Sequence, residues 1–191
     1  MYPDLHAQLR VALDPSPTPT VAPGDRLAAV LAPLVERPEP SLVFTLRSSV
    51  LSRHAGEISF PGGLQDPGES LLETALREAH EEIGLDPALP DVLGALPPVH
   101  TTVSGILVVP FVGVLGELPV FTPSDHEIER VLVFPIARLA AVEAEVEYEL
   151  AGGRAWRGWA YEVEGTTVWG ATGRMLHELL EVVRKQSLWL L

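Results

Sequence analysis

Three glutamates at helical spacing, Glu78, Glu81 and Glu82, follow a glycine pair at Gly62 and Gly63. At about 100° per residue, Glu82 stands roughly 40° to one side of Glu78 and Glu81 roughly 60° to the other. Three like charges on one helical face repel unless something positive lies among them. A hard divalent cation with oxygen ligands is the natural resident. Arg77 has Glu73 and Glu81 at i±4, a spacing that suits it to orient carboxylates rather than to bind substrate. Gly62 and Gly63 would let backbone N–H groups approach an anion. They also suit a tight strand-to-loop turn.

The helix that must carry these groups is well signalled. Ser70-Leu71-Leu72-Glu73 reads as a capping box, in which the Ser70 hydroxyl and the Glu73 carboxylate satisfy first-turn N–H groups. Leu72, Ala75, Leu76, Ala79 and Ile83 form one apolar stripe facing a core. Gly84 suits the left-handed residue that ends a helix, and Pro87 prevents continuation. The glutamates therefore flank a buried stripe and are held by a packed element.

The chain has 191 residues, enough for one domain with a real core. Formal net charge is −13, with 47% apolar and 20% charged residues. That balance disfavours a nucleic-acid surface, which needs clustered Lys and Arg. A small anionic substrate remains compatible, because a divalent cation and a few arginines reverse the local field. Lys185 is the sole lysine, so positive charge is otherwise arginine, the residue suited to bidentate phosphate recognition. The chain has no cysteine, which excludes thiolate catalysis and Cys-based zinc sites. Neither a signal peptide nor a spanning helix is predicted. The expectation is a soluble cytoplasmic protein, monomer or homodimer, with a small-molecule substrate and neither nucleic acid nor membrane as partner.

A short helix is predicted within residues 1–13, then a proline-rich connector from Asp14 to Pro19. A second helix is predicted from Asp25, a good N-cap, through Val35. Strands are predicted at Leu42 to Arg47, Ile58 to Phe60, Val92 to Leu96, Ile106 to Leu115 and Val131 to Phe134. A helix over Arg138 to Glu147 follows. A hairpin over Glu164-Gly165 joins Trp159–Val163 to Thr166–Trp169. A long final helix starts near Ala171, with Met175, Leu176, Leu179, Leu180 and Val183 apolar. The order predicts an α+β fold with a mixed sheet between helices, as one domain over 1–191 with an N-terminal helical and proline-rich extension over about residues 1–40.

The run from Gly63 to Leu85 resembles the Nudix box, Gly-x5-Glu-x7-Arg-Glu-U-x-Glu-Glu-x-Gly-U, with U a bulky aliphatic residue. Gly63, Glu69, Arg77, Glu78, Glu81, Glu82 and Gly84 match its fixed positions. Ala79 stands where an aliphatic residue is expected, which shrinks a core contact. The resemblance implies an α/β/α sandwich and a pyrophosphatase that hydrolyses nucleoside diphosphate derivatives with magnesium or manganese. It implies Glu78 and Glu82 as ligands, and Glu81 as a third or water-bridged one. The base is open among Glu78, Glu81 and the downstream acid Glu127. Glu69 is expected to brace the loop, against Arg77, more than to bind metal.

A second run narrows the substrate. Phe44-Thr45-Leu46-Arg47-Ser48, Arg53, Gly56 and Phe60-Pro61-Gly62-Gly63 resemble the extra motif of coenzyme A pyrophosphatases within the Nudix superfamily. Val43-Phe44 replaces paired leucines. Ser52 stands where the second arginine is expected, and Arg53 follows one place later. The resemblance implies cleavage of coenzyme A to 3′,5′-adenosine diphosphate and 4′-phosphopantetheine, with Arg47 and Arg53 as phosphate contacts. Alternatives are another Nudix pyrophosphatase acting on ADP-ribose, NADH or a dinucleoside polyphosphate, and a non-catalytic Nudix binding module. His54, His100 and His126 lack ligand spacing, and magnesium avoids imidazole. Trp156, Trp159 and Trp169 read as core aromatics.

Overall fold

A computed structural model describes residues 5–48, 56–101, 105–150 and 154–186. In chain order the elements are α1 (Leu5–Ala12), β1 (Arg26–Val35), β2 (Ser41–Arg47), β3 (Ile58–Ser59), β4 (Gly62–Leu64), α2 (Leu71–Ile83), β5 (Asp91–Ala95), β6 (Val99–His100) and β7 (Ile106–Leu115). There follow β8 (Ile128–Pro135), α3 (Ile136–Ala141), β9 (Glu143–Leu150), β10 (Arg154–Val163), β11 (Thr166–Val168) and α4 (Gly170–Lys185).

Among the described residues eight strands form one mixed sheet, with the path β3-β2-β1-β7-β5. β1 runs parallel to β7, while the other pairings are antiparallel. β1 meets β2 only at Leu34↔Leu42 and Val35↔Ser41, then splays from it. The edge so freed is taken by β4, with Ala29 opposite Gly63 and Val30 opposite Gly62. β9, β10 and β11 form a separate three-stranded sheet. The β10–β11 turn uses Glu164 and Gly165, both with positive φ, as a two-residue hairpin of the I′ type requires.

Both faces of the large sheet are covered. Ala29, Leu31, Val35, Val43, Val109 and Phe111 pack beneath Ala75, Ala79 and Ile83 of α2. Residues of the opposite parity, such as Val30, Leu34, Leu42 and Phe44, join a cluster with α1, α3, α4 and the small sheet. This is the expected layered α+β arrangement. In α4, Met175, Leu176, Leu179, Leu180 and Val183 are all buried, and residues 187–191 lie outside the described ones.

Two expectations fail. The helix predicted over Asp25 to Val35 is strand β1, central in the sheet. A strand covered on both faces reads as a continuous apolar run and shows no alternation. Pro33 inside the run opposes an interior helix, and here it pairs in register with Gly113. The helix predicted over Arg138 to Glu147 ends at Ala141, and β9 begins at Glu143. From there Glu143, Glu145, Glu147 and Glu149 alternate with Ala144, Val146, Tyr148 and Leu150, a period of two that suits a strand.

Candidate active site

The helix α2 is built as its sequence requires. The Ser70 side chain accepts from Glu73 N, and the Glu73 carboxylate accepts from Ser70 N at 2.7 Å. Gly84 closes the helix with φ 67° and donates to Ala79 O and His80 O. The last carbonyls are met by the next loop, with Ser124 N on Glu82 O and Thr122 N on Ile83 O, both at 2.9 Å. Those bonds draw the segment ending in Glu127 toward the helix.

β4 lies along the acidic face of α2. Gly62 N donates to Glu82 Oε2 at 3.2 Å. A Cβ at Gly63 would fall 2.5 Å from Glu78 Oε1. Two neighbouring glycines thus face two glutamates one helical turn apart, and any side chain at Gly63 would displace the Glu78 carboxylate. Gly62 N–H, expected to meet an anion, meets this chain's own carboxylate.

Arg77 gathers the other acids. Its Nε and Nη2 donate to the two oxygens of Glu69 at 2.7 and 3.2 Å. Its Nη1 donates to Glu78 Oε1 at 2.8 Å and Glu81 Oε2 at 3.0 Å. Nη2 also reaches Leu64 O at 3.3 Å. Glu69 receives Thr74 Oγ1 and Asp66 N as well. The Arg77 fork, with these donors, holds the Glu69 carboxyl down at about 2. Glu69 thus braces the loop against Arg77. Glu73 serves the cap instead of pairing with Arg77.

Glu82 and Glu78 are pushed the other way. Glu82 is 3% exposed. Burial raises it to about 7, against the pull of Arg47 and the Gly62 N–H, with the charges of Glu78 and Glu127 pushing further up. Burial also raises Glu78, opposed by Arg77 and helped by Glu81 and Glu127. Glu81 is 57% exposed. Glu127 is exposed, and its carbonyl accepts from Ser48 N at 2.8 Å. Arg47 Nη1 donates to Glu82 Oε1 at 3.2 Å. Arg53 and His54 lie outside the described residues. His100 sits in β6 with Nε2 3.6 Å from Asp25, and His126 is exposed beside Glu127.

These donors suit a hard divalent cation in kind. All are carboxylate oxygens, and the two desolvated ones, Glu78 and Glu82, lack enough positive charge around them. In this arrangement Arg77 holds Glu78 and Glu81. Among the described residues no three acidic or histidine side chains converge as a ligand cluster. Arg77 takes one oxygen of each glutamate it holds, Glu78 Oε1 and Glu81 Oε2. Sequence reading missed the Arg47–Glu82 contact, which joins residues far apart in the chain. The available signal was the parity of β2, which puts Arg47 on the same face as Val43, under α2.

A family model described as the NUDIX domain matches residues 25–151. Over 157 residues the chain is 40% identical to the uncharacterized Nudix hydrolase NudL of Cronobacter sakazakii, with 81% of each chain covered. Over 181 residues it is 36% identical to the NudL of Pectobacterium atrosepticum, covering 92% of this chain and 91% of that one. A solved MutT/nudix family protein from Enterococcus faecalis matches with TM-score 0.56 at 16% identity, over 88% of this chain and 66% of that one. That last likeness is one of fold. With the family model and both relatives in agreement, the chain belongs to the Nudix hydrolase family, enzymes that act on pyrophosphate bonds.

Proposed function

We propose that this enzyme hydrolyses the pyrophosphate of coenzyme A or its derivatives. Water adds to one phosphorus, the P–O–P bond breaks, and the bridging oxygen leaves with the other phosphoryl group. The products are 3′,5′-adenosine diphosphate and 4′-phosphopantetheine. The observation that supports this substrate is the run from Phe44 to Gly63, whose two ends, β2 and β4, flank Glu82 and supply its contacts from Arg47 and Gly62. The stretch that resembles the coenzyme A motif thus touches the acidic helix at Glu82, which supports this reading.

Glu78, Glu81 and Glu82 are the proposed ligands of magnesium or manganese. When bound, the cation neutralises charge on the pyrophosphate oxygens and acidifies the attacking water. The chain's own part is to hold these carboxylates on a capped, packed helix and to keep Glu69 and Arg77 as a brace behind them. Proton acceptance falls to Glu78, Glu81 or Glu127. Glu127 is exposed, and its charge is felt by both Glu78 and Glu82. Of Arg47 and Arg53, the two candidate 3′-phosphate contacts, Arg47 is engaged by Glu82, which leaves Arg53 as the proposed contact, worth roughly 1.5–3 kcal/mol as a charge-assisted bond.

The test is mass identification of products from coenzyme A, 3′-dephospho-coenzyme A, ADP-ribose and NADH, each with magnesium, manganese or excess chelator. Coenzyme A should be cleaved fastest, the chelator should abolish turnover, and Arg53→Ala should erase the preference over the dephospho form. Faster cleavage of ADP-ribose or NADH would replace the substrate assignment. Full turnover in chelator would remove the cation from the mechanism.

A further inference from the structure

β2 sends alternate side chains to opposite faces of the sheet. Leu42 and Phe44 join the cluster beneath α4, and Val43 joins the one beneath α2. The same parity aims Thr45 and Arg47 at α2. The backbone of Arg47 is fixed on both sides. Its N–H donates to Glu57 O at 3.0 Å, and its carbonyl accepts from Gly56 N at 3.1 Å. Across β8 the register shifts at this residue, so that Leu46 faces Arg130 and Arg47 faces Ile128.

The side chain so aimed ends on Glu82. Arg47 Nη1 and Gly62 N hold one oxygen each, both at 3.2 Å. Arg47 is only 26% exposed, and its Nε is buried with no hydrogen-bond partner. An arginine that reads a substrate phosphate needs its fork open to present paired donors. Here one terminal nitrogen is taken by Glu82 and Nε is enclosed. Both contacts are long for charge-assisted bonds, which run to about 2.7–2.9 Å. They orient the carboxylate and leave it able to turn to another cation.

We infer that Arg47 is a positioning residue for Glu82 and does not read the substrate's 3′-phosphate. The inference rests on the reading of Glu82 as a cation-binding carboxylate. Removing Arg47 then leaves a buried carboxylate held on one oxygen. Its affinity for a cation falls, while discrimination among substrates is unchanged.

Arg47→Ala, Arg47→Lys, Glu82→Gln and the Arg47→Ala/Glu82→Gln pair test this. The readouts are Mn2+ affinity by titration, metal-free unfolding, and kcat/KM for coenzyme A and its 3′-dephospho form. Arg47→Ala should weaken Mn2+ binding about 10-fold, as loss of a group that orients a metal ligand does, and Arg47→Lys should recover most of it. The destabilisation caused by Arg47→Ala should largely vanish in the Glu82→Gln background. The ratio of kcat/KM for the two substrates should stay within about 2-fold of the parent. Parental Mn2+ affinity in Arg47→Ala, or additive stabilities in the cycle, would overturn the inference. So would loss of the 3′-phosphate preference in Arg47→Ala, or a parent that binds no Mn2+. If neither coenzyme A form is cleaved, the substrate assignment falls, and the titration and the cycle still decide the role of Arg47.

Discussion

Two glutamates in this molecule sit largely out of solvent beside an arginine, Glu82 at 3% and Glu143 at 10% side-chain exposure, and they behave in opposite ways. Glu143, at the start of β9, has Tyr161 Oη donating to Oε1 at 2.7 Å, His177 Nδ1 at 3.0 Å from the same oxygen, and Arg184 Nη2 donating to Oε2 at 2.5 Å. Burial pushes its carboxyl up, but the bonds from His177, Tyr161 and Arg184 outweigh burial and leave it lowered. Glu82 has only Arg47 and one backbone N–H, and burial wins. Glu143 is a finished network that ties β9, β10 and α4 together, with His177 stacked on Trp159 at 3.9 Å. Glu82 is a desolvated carboxyl with few partners. A fully partnered buried acid serves the fold, whereas an underserved one next to a motif is where a ligand fits.

The largest expected effect separates the two directly. Glu78→Gln and Glu82→Gln should each lower turnover at least ~100-fold with the fold intact, because a lost ligand removes transition-state charge stabilisation. Glu143→Gln should leave turnover close to the parent. Steady-state kinetics with circular dichroism on each variant decides this, and a comparable turnover loss in Glu143→Gln would erase the contrast. Next in size, Glu143→Gln should lose about 2 kcal/mol of stability in denaturant unfolding, since it leaves Arg184 and His177 without their shared partner. An unchanged midpoint would mean that the network does not hold the small sheet to α4.

Gly63→Ala should come third. The added Cβ would overlap the Glu78 carboxylate, so turnover should fall about 10-fold, through misplacement of a reacting group, with little change in melting temperature. Parental kcat would show that Glu78 has room to spare. The smallest effect is a pH slope measured in chelator. Glu82 in the fold keeps its proton up to about 7, so its contribution to stability is present below the ordinary carboxylate range and lost as pH rises to about 7. The slope reaches about 1 kcal/mol per pH unit at its steepest. Glu69, held at about 2, acts in the opposite sense, its contribution being lost as pH falls toward 2. Subtracting the Glu82→Gln profile from the parent's isolates the first contribution, and a flat difference would refute the raised value.

What was legible in the sequence follows from range. The capping box, the left-handed Gly84, the apolar stripe of α2 and the Glu69–Arg77 brace are local signals, and the structure contains each of them. β1 was poorly legible, because a doubly covered strand such as Leu27 to Val35 has no period to distinguish it from a buried helix, and only Pro33 spoke against one. β9 was legible in principle from its Glu-apolar alternation, which Ile136 to Ala141 masked by being helical just before it. The Glu143 network joins residues from β9, β10 and α4, and Arg47 meets Glu82 only because β2 and α2 share a sheet face. Such contacts arise from packing, and the parity of β2 gives the face of Arg47 without giving its partner. Arg53, proposed as the 3′-phosphate contact, lies outside the described residues.

The contrast between the two buried glutamates is tested most directly by Mn2+ titration of the parent, Glu82→Gln and Glu143→Gln under the same conditions. The expected result is that Glu143→Gln binds as the parent does, while Glu82→Gln loses about 10-fold or more in affinity. Parental affinity in Glu82→Gln, or an equal loss in Glu143→Gln, would contradict the assignment of the acidic helix as the cation site.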